Sequence, residues 1–197
     1  MSYTPVGHLD DVGNALLKAA DTLLSSEGAS ALTVRRIATV AGVSTMNVYS
    51  RFGGKDGVVE HLFLQGFALL ADAMDNVPVT DDPMLDLSIC GAAYRTFALD
   101  HATLYAVMFE RVVADYVPNP EAQAAALGTL HLLAERLQRT MDAGILRPMD
   151  ATHAAAIVWS TCHGVISLQL RHPELTYVDW QQVYLDASSA VILGLAP

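Results

Sequence analysis

The sequence predicts an all-α protein. Three observations carry this: apolar residues recur at helical spacing along almost the whole chain, no stretch sustains an alternation of period two, and Gly and Pro fall where helices would be punctuated. Within that pattern Leu32–Lys55, LTVRRIATVAGVSTMNVYSRFGGK, reads as two short helices interrupted at Ala41-Gly42-Val43-Ser44. That is the layout of a helix-turn-helix, which can lay a row of side chains in the major groove of DNA.

The first helix covers about Leu9 to Glu27, where Leu16, Ala19, Ala20, Leu23 and Leu24 form an apolar stripe and Gly28 supplies a left-handed stop. Thr33 caps a second helix that turns Ile37, Ala38 and Ala41 inward. Gly42 relieves the backbone at the turn, and Ser44 caps a third helix, Thr45 to Arg51, with Val48 and Phe52 pointing back to a small core. Its outward row is Thr45, Met46, Asn47, Tyr49 and Ser50. After Gly53-Gly54 a long apolar helix runs from Lys55 to about Asp75 and ends before Val77-Pro78. Five further helical segments follow, at about 84–100, 102–115, 121–143, 150–171 and 179–194, with breaks at Pro118-Asn119-Pro120, Gly144–Pro148 and His172-Pro173. Residues 1–55 are thus expected to form the helix-turn-helix domain, and 56–197 a larger helical domain.

Charge points the same way. The chain carries a formal net charge of -10, yet Leu32–Lys55 holds Arg35, Arg36, Arg51 and Lys55 and no acidic residue. A basic island on an acidic protein implies one anion-facing surface and disfavours diffuse binding to nucleic acid or anionic membrane. With 52% hydrophobic and 16% charged residues the chain has apolar surface to spare, which favours self-association. The start, MSYTPVGHLDD, lacks a basic region followed by an apolar run, so a cytoplasmic protein is expected. Ala154–Leu170 has no formally charged residue, but at 17 residues with Ser160, Thr161, His163, Ser167 and Gln169 it reads as a buried helix rather than a membrane span. Cys90 and Cys162 are too few for a disulfide framework and not spaced for zinc; buried reduced thiols are expected, with no metal and no cofactor. Catalysis is disfavoured too, since adjacent Cys162 and His163 project about 100° apart on a helix and no Gly-rich phosphate loop occurs.

Several spacings together resemble the TetR family of bacterial transcriptional regulators. Leu16-Leu17-x-Ala19-Ala20-x-x-Leu23-Leu24-x-x-x-Gly28 is similar to that family's first helix, and Leu32–Ala38 followed by Ala41-Gly42-Val43-Ser44 to its second helix and turn. Val48-Tyr49-Ser50-Arg51-Phe52-Gly53-Gly54-Lys55-Asp56 resembles its third helix and the start of its fourth. The family often has His where this chain has Arg51, a permanent cation suited to phosphate. The resemblance implies nine helices, an N-terminal DNA-binding domain, a larger effector-binding and dimerising domain, and repression relieved by a small ligand. Ala156–Gly164 further resembles a Trp-x-x-x-His-Gly signature of one subgroup, placing Trp159 and His163 a helical turn apart.

On this reading Thr45, Met46 and Asn47 face base edges, with Asn47 suited to adenine and Met46 to a thymine methyl. Thr33, Arg35, Arg36, Ser44, Tyr49, Ser50, Arg51 and Lys55 complete the DNA-facing set, chiefly through phosphates. One such helix gives too little contact, so a homodimer on a palindromic double-stranded operator is expected, with Leu168, Trp180, Val183, Tyr184, Ala187, Val191 and Leu195 as candidate interface. Candidate lining for a mainly apolar effector pocket is Phe67, Met74, Tyr94, Phe97, Tyr105, Met108, Phe109, Leu130, Trp159 and His163, although such stripes also suit plain core. A ligand-independent or activating regulator, and a helical protein-interaction module, remain open as alternatives.

Overall fold

The computed structural model of the protein describes residues 9–197; residues 1–8, which carry most of the segment behind the expectation of no leader, lie outside the described residues. The described residues form nine α-helices and no strand: α1 (Asp11–Glu27), α2 (Val34–Val40), α3 (Thr45–Phe52), α4 (Lys55–Asp75), α5 (Pro83–Asp100), α6 (Ala102–Phe109), α7 (Pro120–Asp142), α8 (Ala151–Arg171) and α9 (Trp180–Gly194). They gather into two compact units, Met1–Leu69 with His101–Ala126, and Leu70–Asp100 with Leu127–Pro197. The boundary expected after residue 55 therefore falls inside the first unit. That unit keeps most of α4 and takes in α6, because α6 packs on α1.

In the first unit, α1 starts where the Asp10 side chain accepts the Gly13 N–H at 2.8 Å, a cap that also suits the positive helix N-terminus. Its stripe buries Leu16, Ala19, Ala20 and Leu23. Gly28 does stop the helix with φ 78°, but its ψ of -179° is extended rather than left-handed helical, so the chain enters a 3-10 turn at Ala29–Ala31. That turn drops Ala31 and Leu32 into the core before α2 begins. Thr33 caps α2 as expected, its hydroxyl accepting from the Arg36 N–H at 3.3 Å. α1, α2 and α3 pack on one another around Leu16, Leu23, Leu32, Ile37 and Val48, all essentially inaccessible. α4 adds Val58, Val59 and Leu62, and Phe52 meets the His61 ring edge-on at 4.8 Å.

α6 stops at Phe109, six residues short of the expected end near 115. Arg111 has a φ of 50°, which no helix accommodates, and the chain beyond folds Val113 and Tyr116 onto α4 instead. The Tyr116 hydroxyl donates to the Glu60 carboxylate, and its ring lies 5.7 Å from Phe63. Tertiary contact has overridden a local helical pattern there.

In the second unit α8 packs on α9 and α5 on α8. Ala154, Ala155, Val158, Cys162, Val165 and Ile166 of α8 are buried, consistent with a core helix. The helix that is long and apolar enough to span a membrane by length and composition is instead α4, half of whose apolar window is buried inside the protein. Two buried polar devices hold the segment after α4. Arg136 donates to the carbonyls of Met74 at 2.7 Å and Val77 at 3.0 Å, holding the chain where it leaves α4. Asp86, with no exposed surface, accepts from the Thr80 N–H, the Thr80 hydroxyl and Arg139, each at 2.8 Å. The Arg139 guanidinium, helped by the Thr80 donors, lowers the Asp86 pKa from 3.8 to about 2.

Stability should respond at two of these positions. Because folding depresses the Asp86 pKa, the folded state binds fewer protons than the unfolded one between about pH 4 and pH 2, and stability falls as pH falls through that window. Asp86→Asn should lower Tm at pH 7 and flatten the Tm profile between pH 4 and 2, measured by circular dichroism; an unchanged acid profile would contradict the assignment. At Gly57 an added Cβ would lie 1.7 Å from the Phe52 carbonyl oxygen, a backbone atom that no rotamer change can move away. Gly57→Ala should therefore cost about 1–3 kcal/mol in urea denaturation.

Candidate nucleic-acid interface and effector cavity

α3 is eight residues long and presents two unlike faces. Val48 and Phe52 are buried, whereas Thr45, Met46, Tyr49 and Ser50 are exposed, Met46 at 70% and Tyr49 at 55%. An exposed Met beside an exposed Tyr on a helix so firmly seated is the arrangement expected of a surface that meets a partner. Ser44 sits at the N-cap position, but its side chain makes no bond to a helix N–H; its hydroxyl accepts from Asn47 Nδ2 at 3.1 Å instead. The first turn of α3 thus lacks a side-chain cap; the Asn47 N–H donates to the Ser44 carbonyl at 3.0 Å, and the N–H groups of Thr45 and Met46 suit an anion such as a DNA phosphate.

Asn47 is half-buried and held at both ends of its amide, since its Oδ1 accepts from Arg51 Nη1 at 2.8 Å. Arg51 in turn grips Asp10 in a two-bond fork, Nε to Oδ1 at 2.8 Å and Nη2 to Oδ2 at 2.6 Å. This pair, with the Gly13 N–H, lowers the Asp10 pKa from 3.8 to about 2. The sequence pattern assigns Arg51 to phosphate and Asn47 to a base; the structure ties both to the N-terminus of α1. A contact of either with another molecule would replace an internal bond.

Arg36 is likewise engaged, donating from both terminal nitrogens to Glu27 at 2.6 and 2.8 Å, which holds the Glu27 carboxyl below its ordinary pKa. Both partners are exposed, so a phosphate can compete with the carboxylate. Arg35 is exposed, Lys55 is half-buried, and neither makes an ion pair among the described residues. Thr33 is exposed beside them, with Val34 and Lys55 lining a shallow recess together with Val112–Asp115. The basic island therefore holds two cations committed to acidic partners within the unit and two uncommitted.

The second unit contains a cavity of about 450 Å³ between α5, α8 and α9, bordered also by Met74 of α4 and Leu133 of α7. Of the ten residues expected to line an effector pocket, Met74, Tyr94 and Trp159 do so. Trp159 donates its indole N–H to the Tyr94 hydroxyl at 3.1 Å, and the His163 ring lies 5.4 Å from the Trp159 ring. Burial pushes the His163 pKa down, favouring the neutral imidazole. Phe97 is buried and Leu130 half-buried, but neither lines the cavity. Phe67, Tyr105 and Phe109 belong to the first unit, where they form one aromatic cluster with centroids 4.9 and 5.4 Å apart, and Met108 packs where a Gly66 side chain would be. Their helical stripe is real, but it marks core.

The candidate interface residues divide in the same way. Leu168 and Val183 are exposed, while Trp180, Ala187 and Val191 are partly exposed. Tyr184 is buried inside the protomer, lines the cavity and donates its hydroxyl to the Gly91 carbonyl at 2.8 Å. Leu195 is buried too, its carbonyl accepting the Arg147 N–H at 2.9 Å. Sequence reasoning missed Arg95, Cys90 and Cys162 as cavity lining; the thiols are free, and burial raises both pKa values, that of Cys90 to about 11. The signal for Arg95 was present as the one basic residue of α5.

Comparison with known proteins gives a consistent answer. A family model described as "Bacterial regulatory proteins, tetR family" matches residues 16–62, and one described as "Tetracyclin repressor-like, C-terminal domain" matches residues 87–181, so the two account for most of the chain. No curated protein matches. Among solved structures, a protein of unknown function from Rhodococcus sp. RHA1 is 25% identical with a TM-score of 0.78, over 99% of this chain and 100% of that one. The fatty acid degradation regulator FadR from Bacillus halodurans is 18% identical with a TM-score of 0.76, over 95% and 98% of the two chains. The TetR family transcriptional regulator PfmR from Thermus thermophilus is 20% identical with a TM-score of 0.70, over 91% and 96%. With a helix-turn-helix whose reading face is bare, an all-α architecture and matches to both halves of one family, the chain belongs to the TetR family of bacterial transcriptional regulators, DNA-binding proteins rather than enzymes.

Proposed function

We propose that the protein is a cytoplasmic homodimeric repressor that holds a palindromic double-stranded operator through two α2–α3 heads and releases it when a small, mainly apolar effector fills the cavity of the second unit. The exposed row Thr45, Met46, Tyr49 and Ser50, on a helix pinned from behind by Val48 and Phe52, is the observation that carries this reading. Thr45 and Met46 lie at the N-terminal end of α3, the part of a recognition helix that reaches base edges, and Asn47 joins them once its internal bonds exchange. Thr33, Arg35, Ser44, Lys55 and the bare N-terminus of α3 hold phosphates, while Arg36 and Arg51 move from carboxylate to phosphate on docking.

A single head of eight residues offers too small a contact, so two-fold pairing is the physical requirement. α8 and α9 supply the surface. Leu168 and Val183 are joined there by Leu185 and Leu193, which lie outside the set expected from the sequence and are 49% and 74% exposed. Pairing α8 and α9 with their symmetry mates would build a four-helix bundle. The Trp159-x-x-x-His163-Gly164 segment, with its neighbouring rings and indole bond to Tyr94, supports placing the second unit in the subgroup that carries this signature. Effector release would act through α4, whose last turn carries Met74 in the cavity lining and whose first residue is Lys55 beside the reading head. A ligand that binds one setting of α4 more tightly shifts the population toward it.

Two measurements check this. Lys55→Ala should weaken binding about equally on all DNA sequences and flatten the log Kd against log salt slope by about one, whereas Asp10→Ala, which frees Arg51, should steepen it by a similar amount. Unchanged slopes in both would remove the phosphate roles. Sedimentation at micromolar concentration should show a dimer; a monomer there would defeat the two-head account.

A further inference from the structure

Arg95 lines the cavity of the second unit and is the only charged side chain that does so among the described residues, with no Asp or Glu in the lining. Its Nη2 donates to Gln169 Oε1 at 3.1 Å, and its guanidinium carbon lies 5.8 Å from the centre of the Tyr184 ring. Neither partner carries a negative charge. Its Nε is buried and has no acceptor among the described residues. A buried guanidinium donor left unmet is costly, and half-buried Arg95 has no counter-charge in the cavity lining to offset it. The ring face and the Gln169 amide reduce that cost without removing it.

We infer that the cavity binds an amphipathic monoanion, a carboxylate joined to an apolar chain, with the carboxylate at Arg95. This rests on the effector reading above and adds the ligand's charge and polarity. The planar guanidinium fork of Arg95, which borders the cavity, matches a carboxylate. The tail then lies against Met74, Met84, Leu87, Leu133, Val158 and Ile192, in a volume of about 450 Å³ that suits a ligand of this kind. A cation or a dianion is disfavoured, because the lining offers one positive charge and otherwise only uncharged groups. Tyr184 has its hydroxyl committed to Gly91 and offers an anion only its ring edge, so Arg95 is the one charged group that can orient it.

The test uses the full-length protein with decanoate and decan-1-ol, which share a tail and differ in charge, titrated by calorimetry and then added to operator-binding assays. Wild type should bind decanoate about tenfold or more tighter than decan-1-ol. Arg95→Met should abolish that preference while retaining decan-1-ol binding, and Arg95→Lys should restore part of it. Equal binding of the two ligands by wild type, no binding of decanoate, or a preference that survives in Arg95→Met would each overturn the inference. Should Arg95→Met fail to fold, the wild-type comparison and Arg95→Lys decide alone. Decanoate bound with an Arg95-dependent preference but without effect on operator affinity keeps the anion site and removes the effector reading. Both ligands loosening the operator equally does the reverse.

Discussion

An eight-residue helix has almost no stability of its own in water, so α3 exists as a reading element only because Val48 and Phe52 are seated in a core built by other helices. That dependence orders much else in the first unit. α1 supplies Leu16, Ala20 and Leu23; the 3-10 turn after Gly28 lowers Leu32 into place; and α2 brings Ile37. The first turns of α4 close the far side, with Gly57 kept bare so that the backbone of Phe52 can approach. Each contributes apolar area behind α3, which leaves the opposite face nothing to do structurally. A face released from packing can carry Thr45, Met46, Tyr49 and Ser50 for contact with another molecule.

The same core fixes the electrostatics. An acidic chain that must approach a polyanion needs its cations positioned, and here two of the four are held by carboxylates, Glu27 at the end of α1 and Asp10 at its start. Asp10 does two things at once, capping α1 and fixing Arg51, which in turn holds Asn47. Arg51 and Asn47 are thereby held in the absence of DNA, and a phosphate that took Arg51 would displace a carboxylate rather than organise a mobile side chain. Ion pairs of this exposure exchange readily, so another anion can compete for both arginines.

Much of this is legible in the residues because the signals are local. The apolar stripe of α1, the Thr33 cap, the turn at Gly42 and the alternation of buried and exposed positions in α3 all lie within a few residues of one another. What the sequence does not disclose depends on long separations. Asp10 and Arg51 are 41 residues apart, and Asp86 and Arg139 are 53 apart. Helical periodicity likewise says that Phe67, Tyr105 and Phe109 point inward, but not into which unit, so it groups them with Tyr94 and Trp159 although they line no shared cavity. Tyr184 shows the converse, an aromatic at interface spacing whose hydroxyl finds Gly91 inside the protomer. The shortening of α6 has a related cause: the contacts that draw Val113 and Tyr116 away from a helix lie on α4.

If the bare face of α3 reads base sequence as part of a two-fold dimer, the DNA it prefers must carry that symmetry. Selection of bound duplexes from a random DNA pool, followed by sequencing, tests this most directly. The expected result is enrichment of one inverted repeat whose half-sites are separated by about one helical turn or a multiple of it, with loss of base preference within each half-site in a variant altered at Thr45 and Met46. A pool that emerges without any enriched motif, or an enriched motif unaffected by changes at Thr45 and Met46, would contradict it.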